Sequence, residues 1–584
     1  MFSCLRSMAL PACLVLAVLA GRAVAQNDGL EDLDKATQLK VAAQSMDDLS
    51  QVIDHLETAL EKGLDKDNTA FAEQLLVASL LQRGSLFAEA IFEAPVQDAQ
   101  RGLRSMQLRQ FALTDLQRAV QIDKNLWDAH LLIGKLQALP LGDANAARRS
   151  LSKVVDAADA SPDQKAEALA LRSAVQKDAE AQAADLDRAI KLLPEKPDYI
   201  RLRAQHRYEN EKLDNALADI DRALKLDPEH AFSHELRGMI LLGLEKYDEA
   251  LASFDRASEL VPEASLPYQH RGQLYIKKGD PEKAVEQLTK ALELAPQNLA
   301  ALLVRASVYY ELKQTDRALE DVESAIKLQP QFVQPHLMRA EILAATDRMD
   351  EAIAHLERLV EMAPTQLQLL NQLGTFYIID SQPRKAIDVL SRVIEQEPDN
   401  YRAIRFRADS YLNVGQHAEA IADFDRALAL NGDDESLLNN FAWVLATSPD
   451  DELRDGARAV KLATQAAEAT KYETPHVLST LAAAHAETGD FETAKKWSQK
   501  AVELAQKTID SADTEEKRKQ AEADRDQLQK ELDSYNEGKP VRERQTMDEK
   551  ETPEKETPEK DAPQEKDHAL APSSTPAPAG TAEF

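Results

Sequence analysis

Apolar residues in the middle of the chain recur at helical spacing. In DPEKAVEQLTKALELAP, Asp280 to Pro296, the residues Ala284, Leu288 and Ala291 fall at i, i+4 and i+7, with charged and polar residues between them. Just upstream, SLPYQHRGQLYIKK places Tyr268, Gly272 and Tyr275 at the same intervals, which predicts a first helix. Gly279 and Asp280 separate the two. Asp280 suits an N-cap, and Pro281 suits the first helical position, where no backbone N–H is required. Pro296 ends the second helix, because proline lacks a donor and clashes in a helix interior. Ser265 to Asn298 therefore reads as one helical hairpin.

The hairpin is repeated. Pro194, Pro228, Pro262, Pro296, Pro330, Pro364 and Pro398 are evenly spaced, and Gly432 continues the series with another helix stopper. Regular units begin at Pro197, Ala231, Ser265, Leu299, Val333, Leu367 and Tyr401. Even spacing over this distance marks stacked units. Two columns in them stay small. Gly238, Gly272, Ala306, Ala340, Gly374 and Ala408 share one position of the first helix. Ala250, Ala284, Ala318, Ala352, Ala386 and Ala420 share one position of the second, and Ala257 and Ala291 mark a further one. Four residues after the second column stands a bulky filler: Phe254, Leu288, Val322, Leu356, Leu390 or Phe424. Small against large is the pattern of interdigitated helices. One hairpin cannot bury its apolar face alone, so each unit needs a neighbour.

These units resemble the tetratricopeptide repeat (TPR). They match its W-x2-L-G-x2-Y … A-x3-F … P pattern at the Gly, Tyr, Ala, Phe and Pro positions. They depart from it at the first two, where Tyr268, Leu302 or His336 replaces Trp and Arg usually replaces Leu. The resemblance implies an all-α fold: a right-handed TPR superhelix (α-solenoid) of antiparallel helix hairpins. Residues 26–126 are expected to form degenerate hairpins capping the solenoid, and 127–196 divergent units opened by Trp127 with Gly134 and Ala146. The seven regular units fill 197–434. Two more fill 435–508, the first with an insertion, SPDDELRDG, between its helices. Residues 509–536 read as a charged helix with Leu528 and Leu532 as anchors, which either covers the last repeat or projects into solvent. Residues 537–584 are rich in Pro, Glu, Lys and Ala, which predicts a disordered tail.

Composition supports the helical reading. Aromatic residues make up only 5 %, fewer than a large β-sandwich wants. The formal net charge of −31 repels phosphate backbones, so a nucleic-acid partner is not expected. The chain opens on Arg6, an apolar run from Ala9 to Ala20 and the small-x-small triplet Ala23-Val24-Ala25. That is the pattern of a secretory signal, 1–25, cleaved before Gln26; an uncleaved anchor is the alternative. The only cysteines, Cys4 and Cys13, lie within it. The exported chain would then hold no disulfide, no thiol nucleophile and no Cys-based metal site. No later segment reads as apolar enough to cross a membrane. The expected location is the periplasm or the extracellular space.

No catalytic signature is found: no P-loop, no G-x-G-x-x-G after a strand, no H-E-x-x-H and no nucleophile elbow. His230 and His234 have the spacing of a helical metal pair, but the pattern sets no third ligand, and His234 falls where the repeat wants a packing aromatic. No metal or cofactor is expected. Arg203, Arg237, Arg271, Arg305, Arg339 and Arg407 share one column, and Asp221, Asp255, Glu323 and Asp425 recur on the paired helix. Ion pairs inside each hairpin are expected in preference to an anion-binding ladder, since an arginine on the packed side needs a partner.

TPR proteins usually bind an extended peptide or a partner helix on the inner face of the first helices, and the resemblance carries that expectation here. Asn371, Arg405 and Asn439 occupy one equivalent position in three successive units, with Arg402 and Trp443 on the same face. Asn can bind a peptide backbone, Arg can grip a carboxylate, and Trp supplies contact area. The Lys-and-Asn clamp of chaperone-binding TPR domains is not apparent at the matching positions. The expected function is a non-catalytic scaffold or adaptor for a protein or peptide partner, in the cell envelope or outside the cell. The alternatives are an assembly factor of a surface or secretion complex and, less favoured, a repeat appendage of an unrecognised enzyme. The partner and the oligomeric state stay open.

Overall fold

The computed structural model describes residues 28–92 and 99–543. The expected leader, 1–25, and most of the expected tail, 544–584, lie outside the described residues. The chain forms two compact units that divide between Gly279 and Asp280. Every element among the described residues is helical, as the periodicity requires.

The first unit opens with α1 (Leu30–Ala42) against α2 (Met46–Lys62), then α3 (Lys66–Phe92) against α4 (Ala99–Ile122). Next come α5 (Trp127–Ala138) with α6 (Ala144–Asp156), and α7 (Pro162–Ala174) with α8 (Ala179–Leu192). The regular pairs α9 (Pro197–Glu209) with α10 (Leu213–Leu226) and α11 (Ala231–Gly243) with α12 (Tyr247–Leu260) lead to α13 (Leu266–Lys278). One expectation needs correction here. By length and composition α3 is apolar enough to cross a membrane. In the fold it packs against α4 instead, burying Leu76, Leu80 and Ala88. It also carries Arg83, whose guanidinium holds Asp115 of α4 through two bonds of 2.7 Å.

The second unit runs from α14 (Pro281–Leu294) through the pairs α15 (Leu299–Glu311) and α16 (Thr315–Leu328), then α17 (Val333–Ala344) and α18 (Met349–Met362). It continues with α19 (Leu367–Ile379) and α20 (Pro383–Gln396), then α21 (Tyr401–Asn413) and α22 (His417–Leu430). In the next pair, α23 (Glu435–Thr447) and α24 (Gly456–Ala469), the insertion adds a short 3-10 turn, Asp451–Leu453. The last pair is α25 (Pro475–Glu487) and α26 (Phe491–Ser511), followed by α27 (Glu515–Asn536).

The small and large columns meet as expected. Gly238 lies against the Phe254 ring so closely that a Cβ there would overlap it. A Cβ on Gly374 would come to 2.8 Å from Leu390 Cδ2. Gly272, Ala250, Ala257, Ala284 and Ala291 are buried, as are Phe254 and Leu288. Pro262 and Pro296 stand just past the ends of α12 and α14.

The turn inside each regular hairpin repeats too. Glu211, Glu245, Gly279, Lys313, Asp347, Ser381 and Gly415 all have positive φ. In the Glu245 turn, the amides of Glu245 and Lys246 donate to the carbonyls of Leu242 and Leu241, a Schellman closure. Only two of the seven are glycine, and each of the others costs about 1–2 kcal/mol in this conformation. Neighbour packing therefore carries these turns.

The arginine column is paired, but not wholly as expected. Arg203, Arg305 and Arg407 each make a two-pronged pair with an aspartate on the second helix of their own hairpin: Asp219, Asp321 and Asp423. Their remaining N–H groups reach back to the preceding hairpin, to Asp187, Thr289 and Ser391. Where no aspartate stands at the internal position, the direction reverses. Arg237, Arg271 and Arg339 pair with Asp221, Asp255 and Glu323 of the preceding hairpin. These three acids therefore join neighbours and do not close their own hairpin. Asp425 pairs with Arg458 of α24. Other arginines tie neighbours through the terminating prolines: Arg222, Arg392 and Arg426 donate to the carbonyls of Pro194, Pro364 and Pro398. The ladder is a set of inter-repeat links with its charge already met.

At the C-terminal end, α27 covers the last pair. Leu528, Leu532 and Tyr535 are buried, and Tyr535 joins Ala482, Ala486 and Ala494. The tail expected from residue 537 differs in its first residues, where Val541, Arg542 and Glu543 pack back onto the repeats. Glu543 donates its amide to the Thr447 carbonyl at 2.9 Å, and Arg542 pairs with Glu487 at 2.7 Å. The Glu543 side chain is only 6 % exposed overall, facing the Trp443 indole and the Thr447 hydroxyl. Burial pushes its pKa up to about 7, against the pull of those two donors.

Two outcomes follow. Asp321, buried under both prongs of Arg305, should cost about 2–3 kcal/mol when replaced in Asp321→Asn, because an arginine on the packed side loses its charge partner. Asp255→Asn, at a half-exposed carboxylate, should stay within about 1 kcal/mol, and urea unfolding of both variants checks the contrast. The second concerns residues 537–543. A carboxyl whose pKa is raised by docking favours the docked state fully below its free value near 4.5 and loses that contribution as pH rises through about 7. Trp443 fluorescence, read with the other two tryptophans replaced by Phe, should report docking that weakens between those values, and Glu543→Gln should flatten the profile.

Candidate functional site

The first helices of the last two repeat pairs, with α26 and α27, enclose a cavity of about 590 Å³. Each wall has a local reason. Asp434 caps α23, accepting from the amides of Ser436 and Leu437, so that helix starts in one register. Asn439, Asn440 and Trp443 then share a face, at i, i+1 and i+4. On α25, Pro475 occupies the first turn, and His476, Ser479 and Thr480 face the same space. Ala505 and Thr508 come from α26. The fourth wall is α27, through Ala521, Asp524, Gln527, Leu528 and Glu531.

Two polar networks organise the interior. Asn440 Nδ2 donates to Asp409 Oδ1 at 2.9 Å, which turns the Asn440 oxygen toward Asn439 Nδ2 at 3.1 Å. Asn439 Oδ1 is left without a partner, although the residue is only 9 % exposed. Burial pushes the Asp409 pKa up, against the bond from Asn440 and the nearby Arg405 charge. In the second network, the Ser479 hydroxyl donates to Glu531 Oε2 at 2.5 Å and Gln527 Nε2 donates to Oε1 at 3.2 Å. Burial raises the Glu531 pKa, and these two bonds oppose it.

Of the five residues expected on the binding face, the fold brings Asn439 and Trp443 into this cavity. Asn371 is half-buried and donates to its own helix at the Leu367 carbonyl, 2.9 Å away. Arg405 is committed to Asp434 at 2.7 Å. Burial works against Asp434, yet the Leu437 amide, Tyr401 hydroxyl and Arg405 together hold its pKa down. Arg402 is exposed; its guanidinium and that of Arg405 lie 5.2 and 4.9 Å from the Phe406 ring centre. His230 caps α11 by accepting from the Ser233 amide. His234 meets the Pro228 carbonyl at 2.8 Å, the same reach that His336 makes to Pro330 at 2.9 Å.

The residues missed from the sequence are Asn440, His476, Ser479, Thr480 and the α27 wall. The insertion before α24 shifts the repeat numbering, so Ser479 and Thr480 fall out of the 34-residue register. Glu531 did leave a signal: it stands three residues after Leu528, within the buried stripe of an otherwise charged helix.

Two family descriptions, both "Tetratricopeptide repeat", match the chain. One spans residues 201–265, 271–331, 306–366 and 380–435, and the other 475–508. No curated protein matches the sequence. Among solved structures, YrrB, described as a TPR protein with an unusual peptide-binding site, is 24 % identical over 32 % of this chain and 95 % of its own, with a TM-score of 0.27. A tetratricopeptide repeat protein from Parabacteroides merdae is 19 % identical over 42 % of this chain and 97 % of its own, with a TM-score of 0.32. PilF of Pseudomonas aeruginosa is 20 % identical over 39 % and 98 %, with a TM-score of 0.30. The family matches fall on the same hairpins that carry the small and large columns, and over residues 201–265, 271–366, 380–435 and 475–508 those hairpins are tetratricopeptide repeats.

Proposed function

We propose that this chain is a non-catalytic scaffold that holds a protein or peptide segment on the face built by the first helices of its last repeats, in the cell envelope or outside the cell. TPR modules of this kind serve protein–protein interaction. The observation that carries the reading is the cavity lined by Asn439 and Trp443: a contact aromatic beside a buried amide whose oxygen has no partner among the described residues, with Asp524 and Glu531 on the facing wall. The location rests on the leader-like first 25 residues alone.

A displayed peptide library panned against the purified chain tests this. The expected result is saturable binding that falls about tenfold or more in Trp443→Ala, as for an interface anchor. Binding indifferent to Trp443, or no selected peptide, would contradict it.

A further inference from the structure

We infer that the cavity between α23, α25 and α27 receives one basic side chain, arginine or lysine, from the bound partner. This rests on the scaffold reading and names what the groove selects. Size comes first: about 590 Å³ holds a long side chain with its flanking backbone and falls within the usual range of ligand pockets.

Charge and hydrogen-bonding sense decide the rest. Asp524 and Glu531 both line the cavity, and among the described residues no lysine or arginine does. His476 is the remaining titratable group on its walls. Each Glu531 oxygen has one donor within the chain, and a carboxylate oxygen can accept a second. Asn439 Oδ1 has none, and the Asp409–Asn440–Asn439 relay fixes it as an acceptor. An anionic guest would meet two carboxyl groups. An apolar guest would cover two carboxyl groups without supplying a donor to either. A guanidinium or ammonium answers the charge and supplies donors to the Glu531 oxygens, and Trp443 adds an aromatic wall beside which a cation rests favourably. The apolar stem of such a side chain suits Ala505, Ala521 and Leu528.

The test uses the full chain carrying fluorotryptophan, with the Trp443 resonance assigned by Trp443→Phe. The probes are acetyl-arginine methylamide and its uncharged analogue, acetyl-citrulline methylamide. The arginine amide should shift the Trp443 signal saturably, and citrulline should bind about tenfold more weakly, the worth of one charge-assisted contact. Asp524 is exposed, so Asp524→Asn leaves the fold intact and should weaken the arginine amide about threefold. Glu531→Gln should weaken it further. Equal binding of the two probes, no response at Trp443, or unchanged affinity in both variants would overturn the inference. Peptides that bind without any basic residue, beside a silent arginine amide, would remove the cation and leave the scaffold. An arginine amide that binds where no peptide is selected would do the reverse.

Discussion

A two-helix hairpin of about 34 residues exposes more apolar surface than it can cover, and the rest of this structure follows from that shortage. Each hairpin buries its second face only against the next one. The small columns at Gly238 and Gly374 let facing helices approach until the Phe254 and Leu390 side chains fill the space between them. The left-handed turns at Glu245 and Lys313, unfavourable on their own, persist because packing on both sides holds the helices they join. The arginine column adds direction to the same coupling. Each guanidinium touches its own hairpin and the preceding one, or the preceding one alone, so neighbours are linked whether the charge is met inside the hairpin, as at Arg305, or across the boundary, as at Arg271.

The end of such a stack must be closed by something other than a repeat. Here the second unit is closed by its own C-terminal helix, whose sequence is mostly charged or polar apart from a narrow stripe at Ala521, Leu528, Leu532 and Tyr535. Closing the end also makes the cavity. Without α27 the face of α23 and α25 would be an open shelf; with it, Asn439 and Trp443 become the back of a pocket with acidic groups opposite. Residues 541–543 then return to the base of Trp443, so the closing of the stack and the lining of the cavity share one aromatic residue.

Much of this was legible in the sequence, and the limits have physical causes. The 34-residue period, the hairpin boundaries and the small–large columns are local consequences of helix geometry, and these appear where the periodicity places them. The arginine partners were half legible. The column was visible, but Asp219, Asp321 and Asp423 stand only two positions from the acids first matched to it, and a shift of two residues on a helix chooses between own and neighbouring hairpin. The groove was legible only where the period held. Asn439 was found because it keeps register with Asn371 and Arg405, and Trp443 because it lies on the same face. The other walls come from after the insertion and from a non-repeat helix, where no period points. The reading that no later segment is apolar enough to cross a membrane underestimated α3, whose apolar face packs against α4 around an arginine–aspartate link.

The account's central claim is that stability passes from hairpin to hairpin by contact. Native-state hydrogen exchange on Leu390→Ala, which empties one filler position on α20, tests it most directly. Protection should fall most in α19 and α20, less in the adjoining pairs α17–α18 and α21–α22, and hardly at all in α15. A loss spread evenly over the whole second unit, or one confined to α19 and α20 alone, would contradict it.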